Sequence, residues 1–310
     1  MNIIVVGGAG FLGSHLCDAL VIRGNRVLCI DNFITGAKEN ITHLLKNKNF
    51  VFLEESIITG EIDKKLPFTP DIVFHLASPA SPKDYTKYPI ETLLVNSLGT
   101  KKCLDIALKT GAKFLFTSTS EVYGDPLISP QKEDYWGNVN PVGLRSMYDE
   151  GKRFAEAITV AYHRKYGIKT YLPRIFNTYG PRMRLDDGRV IPNFIAQIIE
   201  KKPLTIYGDG KQTRSFCYVD DLIKGLLMLV ESDYHMPVNL GNPGEFTIIE
   251  LAEKIKDITG RDLQLEFLPP LPDDPRKRRP DIELAKKLLG WEPAINLDEG
   301  LKKTLSYYTG

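Results

Sequence analysis

Apolar and polar positions follow two alternating periods along the first half of the chain. Short continuous apolar runs, such as residues 2–6 (NIIVV), give way to stretches whose apolar residues recur every three or four positions. A run apolar on both faces reads as a buried strand of a parallel sheet, and a 3.6-residue period as a helix packed on it. On this reading residues 2–6 are a first strand, 11–23 a helix, and 26–30 a second strand ending at Asp31. Further strands fall at 50–53, 71–75, 113–117 and 169–174, with helices over 90–110 and 146–167. Such alternation predicts an α/β fold with a doubly wound parallel sheet covered on both faces.

The second half changes character. Helical stretches at 193–201, 216–231, 248–259, 282–289 and 297–308 are separated by turns such as YGDGKQ and LGNPGE. Pro269, Pro270 and Pro272 mark an extended segment. The expected organisation is a first domain over 1–174 and a smaller C-terminal lobe over 175–310, some of whose elements return to the first domain. No internal repeat or low-complexity tract is present.

Composition narrows the class. The 310 residues are 43% hydrophobic and 25% charged, ordinary values for a globular protein. A net charge of +1 argues against nucleic acid or an acidic membrane as partner, so an anionic ligand must be held by local groups. Cys17, Cys29, Cys103 and Cys217 form no CxxC pair, and three of them sit in apolar runs. They are expected to be buried free thiols in a reducing, cytoplasmic setting. The five histidines are scattered without ligand spacing, so no metal is expected. The first apolar run is too short for a membrane span and has no basic leader. Asn40-Ile41-Thr42 matches the glycosylation pattern by chance on this reading.

Chemistry enters at the first strand–helix turn. Gly7, Gly10 and Gly13 in GGAGFLG follow a strand and open a helix, with Phe11 and Leu12 in its first turn. In that order they allow a tight turn, close approach of backbone to a pyrophosphate, and close helix–strand packing. The helix N-terminus supplies free N–H groups and the positive end of the dipole. Asp31, followed by Asn32, lies about 20 residues on, where a carboxylate accepts ribose hydroxyls and repels a 2′-phosphate. The pattern is a Rossmann fingerprint selective for NAD over NADP.

Tyr148 and Lys152, four apart in a helical stretch, share one face. A tyrosine with an unperturbed pKa near ~10 acts as a base at neutral pH only beside positive charge. Lys152 supplies one such charge and an oxidised nicotinamide another. At a preceding strand end, Thr119 in TSTSEVYG is placed to share a hydrogen bond with Tyr148 and a reacting hydroxyl.

Thr119, Tyr148 and Lys152 resemble the Ser/Thr–Tyr–Lys triad of the short-chain dehydrogenases. With HLASPAS (75–81), Asn96 and RIFNTYGP (174–181), they resemble the extended members of that group, the NAD-dependent epimerases and dehydratases of nucleotide sugars. Three reactions share its opening oxidation at the sugar 4-position: epimerisation, 4,6-dehydration and decarboxylation of a uronic acid. Dehydratases typically carry Asp-Glu before VYG, whereas this chain has Ser120-Glu121. Epimerases usually have small or neutral residues there. TSTSEVYGDP, YWGNVNP (135–141), YDEGKR (148–153), YGDGKQTRSF (207–216) and DDPRKRRPDI (273–282) are similar to the UDP-glucuronate decarboxylases, which form UDP-xylose.

The resemblance implies further roles. Glu121 and Arg278 manage the sugar carboxylate, with Glu121 protonated or water-bridged beside an anionic substrate. Asn177, Arg189, Val190, Tyr207, Gln212 and Arg214 hold the uridine diphosphate. Leu76, Ala77 and Asn96 line the cofactor. Ser56-Ile57 stands where related chains often place Asp-Val or Asp-Ile against adenine. Helices 90–110 and 146–167 resemble those of a four-helix homodimer interface. A 4-epimerase, a dehydratase and a non-catalytic NAD sensor are the alternatives.

Overall fold

The structure, a computed structural model, describes residues 1–270 and 278–310. Seven parallel strands form its central sheet: β1 (Asn2–Val6), β2 (Arg26–Asp31), β3 (Phe50–Glu54), β4 (Ile72–His75), β5 (Lys113–Phe116), β6 (Thr170–Ile175) and β7 (Pro237–Leu240). Their order is β3-β2-β1-β4-β5-β6-β7, and the short strand Ser118–Thr119 pairs with β6. The winding reverses between β1 and β4, so a crevice opens at the carboxyl ends of the strands there.

Successive residues of each strand serve opposite faces, and the core divides accordingly. Ile3, Val5, Val27 and Phe74 pack with Leu16 and Leu20 of α1 (Phe11–Ile22) and with Leu222 and Leu226 further along the chain. Ile4, Val6, Leu28 and Val73 pack on the other face with Val95, Leu104, Ala107 and Ala155. These runs are apolar throughout because neither face meets water.

The short helices α2 (Pro82–Lys87) and α3 (Pro89–Leu94) lead through a π turn, Val95–Gly99, into α4 (Thr100–Thr110). The helix expected over 90–110 is therefore interrupted in its middle. The long helix α5 (Ser146–Tyr166) ends at Gly167 in the left-handed region, φ 70°.

The smaller lobe contains α6 (Val190–Ile199), α8 (Ile248–Thr259) and three two-stranded pairs, each joining residues distant in sequence. Thr247 and Glu250 cap α8 reciprocally. Between them α7 (Val219–Glu231) packs against α1, and β7 extends the sheet beside β6. A division at 174/175 is thus crossed by both α7 and β7. The chain closes with α9 (Glu283–Leu289) and α10 (Leu297–Thr309). Pro272 of the extended segment, with Arg276 and Lys277, lies outside the described residues.

All four cysteines are buried free thiols. Among the described residues, no helix is long and apolar enough to cross a membrane.

Candidate active site

A cleft of about 580 Å³ runs from the glycine turn, past the carboxyl ends of the strands, to the smaller lobe. Its first wall is the β1–α1 turn. Gly7 has φ +82°, and a Cβ there would lie 2.5 Å from the Ala77 nitrogen. At Gly13 a Cβ would lie 2.0 Å from the Gly7 carbonyl oxygen. Gly10, the N-cap of α1, provides no side-chain cap, so the helix N-terminus faces the cleft with its N–H groups available to an anion. Phe11 and Leu12 line the same wall.

Asp31 ends β2 at the cleft floor. Its carboxylate accepts from Ala9 N–H at 2.9 Å and from Phe33 N–H at 2.8 Å. Burial raises its pKa, and those backbone donors oppose the rise. Each oxygen keeps a lone pair for a further donor such as a ribose hydroxyl. Gly36 leaves room for the group, since a Cβ there would come within 2.9 Å of Oδ1. Asn32, Ser56, Ile57, Leu76 and Ala77 all line the cleft. Asn96 lies behind that wall, buried in the π turn, where its amide donates to the Ser78 hydroxyl at 2.9 Å.

Tyr148 and Lys152 stand one turn apart on α5, both buried. Burial pushes the Tyr148 phenol up to about 12, and a hydrogen bond with the Thr119 side chain opposes the rise. Burial alone holds Lys152 down to about 7; its Nζ donates to the Thr117 carbonyl at 2.8 Å. The ammonium also lies 5.6 Å from the Tyr148 ring centre. Tyr85, which the motif reading does not include, stacks on Tyr148 at 5.2 Å between ring centres.

Ser120 and Glu121 follow Thr119 in a short 3₁₀ turn. Glu121 forms a forked ion pair with Arg278 and a second pair with Arg145. Burial would raise its pKa, but the two guanidiniums outweigh that and hold the carboxyl down at about 2. With the two arginines in place and no substrate beside it, Glu121 is held ionised. Arg278 is 4% exposed and also donates to the Ser120 hydroxyl at 3.3 Å. It does not belong to a solvated basic face.

Sequence reasoning missed Arg145. Its position three residues before Tyr148, on the same side of the helix start, is the signal that could have found it.

The smaller lobe closes the far end. Asn177, Val190, Tyr207, Gln212 and Arg214 line the cleft, as does Arg189, whose guanidinium pairs with Asp187. Gln212 donates to the Tyr207 carbonyl at 2.8 Å, and Arg214 to the Thr213 carbonyl at 2.9 Å. One continuous space thus joins a dinucleotide turn, a Thr–Tyr–Lys cluster and a polar pocket with arginines.

The family model for the NAD dependent epimerase/dehydratase family matches residues 3–241. UDP-glucuronic acid decarboxylase 1 of Arabidopsis thaliana is 55% identical over 99% of this chain and 69% of its own length. The Danio rerio UDP-glucuronic acid decarboxylase 1 is 50% identical over 99% of this chain and 72% of its own. Among solved structures, UDP-glucose 4-epimerase of Thermotoga maritima superposes with a TM-score of 0.92 at 34% identity, covering 99% of this chain and 98% of that one. UDP-glucuronic acid 4-epimerase of Bacillus cereus, in complex with UDP-glucuronic acid and NAD, gives 0.90 at 33% identity, covering 99% of both chains. The glycine cradle and the Asp31 carboxylate fit NAD, the family's cofactor. The chain belongs to the NAD dependent epimerase/dehydratase family, alongside the UDP-glucuronic acid decarboxylases.

Proposed function

We propose that this chain is a carboxy-lyase that converts UDP-glucuronate to UDP-xylose and carbon dioxide. The observation that carries the reading is the ionised Glu121, clamped by Arg145 and Arg278 next to the Thr119–Tyr148–Lys152 cluster. Two guanidiniums serve Glu121, with Asp149 as a second carboxyl in their field, raised to about 7 by burial and by Glu121; the paired cations suit a sugar that brings its own carboxylate.

NAD held by the glycine turn at 7–13 and Asp31 would supply a reversible hydride acceptor for carbon 4 of the sugar. Tyr148 takes the proton of the 4-hydroxyl, with Lys152 and Arg189 favouring the phenolate and Thr119 sharing the hydrogen bond. The oxidised sugar is a β-keto acid. Its C5–C6 bond breaks, carbon dioxide leaves, and the electron pair remains as an enolate that the Tyr148 and Thr119 hydroxyls stabilise. Carbon 5 then takes a proton from water in the cleft, and Tyr148 gives its proton back to the carbon 4 oxygen as the ketone is reduced again. With its carboxyl held near 2, Glu121 is a poor source of the carbon 5 proton; its part is to orient Arg145 and Arg278.

Gly7, Gly10, Phe11, Leu12, Gly13, Asp31, Asn32, Ser56, Ile57, Leu76 and Ala77 are the proposed cofactor contacts, all of them lining the cleft. Asn96 acts at one remove, through Ser78. Asn177, Arg189, Val190, Tyr207, Gln212 and Arg214 are assigned to the uridine diphosphate. Four buried thiols support a reducing, cytoplasmic setting. Exposed Ile90 and Leu93 of α3 and Phe154 of α5, on helices packed together, support a homodimer through those faces.

Likeness to two 4-epimerase structures favours epimerisation as the second reading. Product analysis separates the two. Incubation with UDP-glucuronate and no added reductant is expected to give equal amounts of gas and UDP-pentose. UDP-galacturonate without gas would replace decarboxylation by epimerisation.

A further inference from the structure

We propose that Gln131, which touches neither wall of the cleft, is a positioning residue that seats Arg278 on Glu121. The inference rests on the role given to Arg278 in the proposed reaction.

Arg278 can form its fork only if its main chain is fixed, because a guanidinium–carboxylate pair is directional. The residues that follow it are fixed by Gln131. Gln131 N–H donates to the Arg279 carbonyl at 2.8 Å, and Arg279 N–H donates back to the Gln131 side-chain oxygen at 2.9 Å. Asp281 N–H donates to the Gln131 carbonyl at 2.8 Å, which makes a parallel bridge between Gln131 and Pro280. The Gln131 amide donates to the Ile128 carbonyl at 2.7 Å, so both ends of this buried side chain are engaged.

The bridge is anchored in turn to the sheet. Asn239 of β7, fully buried, donates to the carbonyls of Gln131 and Asp281, each at 3.0 Å. Its own oxygen accepts from the Tyr123 hydroxyl at 2.8 Å. Tyr123 lies two residues beyond Glu121, in the same 3₁₀ turn. Both members of the Glu121–Arg278 pair therefore hang from one buried frame, with Gln131 as one link on the arginine side; the Ser215 hydroxyl, which donates to the Arg278 carbonyl at 3.1 Å, is another. Buried amide groups with every polar atom partnered hold a single geometry, because any slip strands a donor or acceptor away from water.

The test is kinetic. Gln131→Met keeps length and removes both polar ends. The expected result is a fall in kcat for UDP-glucuronate of about tenfold, for a misplacement under an ångström. NAD affinity should stay within twofold, and kcat should show no further loss when the change is added to Arg278→Ala. Unchanged kcat in the single variant, or an equal added loss in the Arg278→Ala background, overturns the proposal. Should the Met variant not fold, Gln131→Ser, which admits water, is read by the same criteria. Full kcat in Arg278→Ala alone would instead strike at the reading of the reaction, and the inference would fall with it.

Discussion

Burial acts on Tyr148 and Lys152 in opposite directions, raising the phenol to about 12 and lowering the ammonium to about 7. A neutral buried phenol is a weak base, so the site works only when positive charge gathers beside it. Tyr148→Phe is expected to cut turnover by about 10³-fold while NAD affinity, read by calorimetry, stays within a few-fold. Retained turnover would remove the base assigned here.

Lys152 gives a pH signature of its own. Its folded-state pKa of about 7 lies below that of an exposed lysine. The unfolded chain therefore holds more protons above about 7, and this group's contribution to stability rises with pH from there toward about 10. Below about 7 the full cost of the buried charge is present. In the cofactor-free protein, Lys152→Met should gain Tm relative to the wild type at pH 6 and lose that advantage by pH 10. A difference that stays flat with pH would contradict it.

At this scale the sequence was informative where spacing is local, as for Tyr148 and Lys152. Arg278 reaches Glu121 from 157 positions away, so no local pattern announces the pair. The same distance hides the ionised state of Glu121.

Among elements, the strands apolar on both faces were legible because a continuous apolar run has few other uses. β7, four residues that begin with Pro237, was not anticipated. Such a short run earns its place only by pairing with β6, which sequence periodicity does not record. The three two-stranded pairs of the smaller lobe were missed for the same reason. The π turn in the 90–110 helix breaks a period that the apolar positions suggest is continuous.

The glycine turn was read from order and context, and its tolerances are now visible. Gly13→Ala would drive a methyl to 2.0 Å from the Gly7 carbonyl oxygen, a backbone atom that cannot give without moving the turn. The expected loss is about 1–3 kcal/mol of stability. NAD affinity should fall at least ~10-fold as the helix N-terminus moves off the pyrophosphate. Urea unfolding and calorimetry read the two effects, and a variant with wild-type values in both would contradict the cradle.

For the whole molecule, the α/β class could be read from the chain, and so could the expectation that some second-half elements return to the first domain; which elements do so could not. α7 and β7 come from the second half yet complete the first half's core and sheet. The smaller lobe is consequently tied, through α7 on α1 and β7 beside β6, to the sheet that carries the glycine turn. The proposed dimer has its own test at this scale. Leu93→Asp together with Phe154→Asp should convert it to a monomer in sedimentation velocity, since both side chains are exposed in the single chain. An unchanged sedimentation coefficient would place the interface elsewhere.

The central claim is that one hydride leaves and returns to carbon 4 while the carboxylate is lost between the two transfers. UDP-glucuronate carrying deuterium at carbon 4 and ¹³C in its carboxyl group tests this directly by mass spectrometry and NMR. The expected result is one equivalent of ¹³CO₂ and a UDP-xylose that keeps its deuterium at carbon 4. Retained ¹³C in the sugar, or a pentose whose carbon 4 carries only solvent-derived hydrogen, would contradict it.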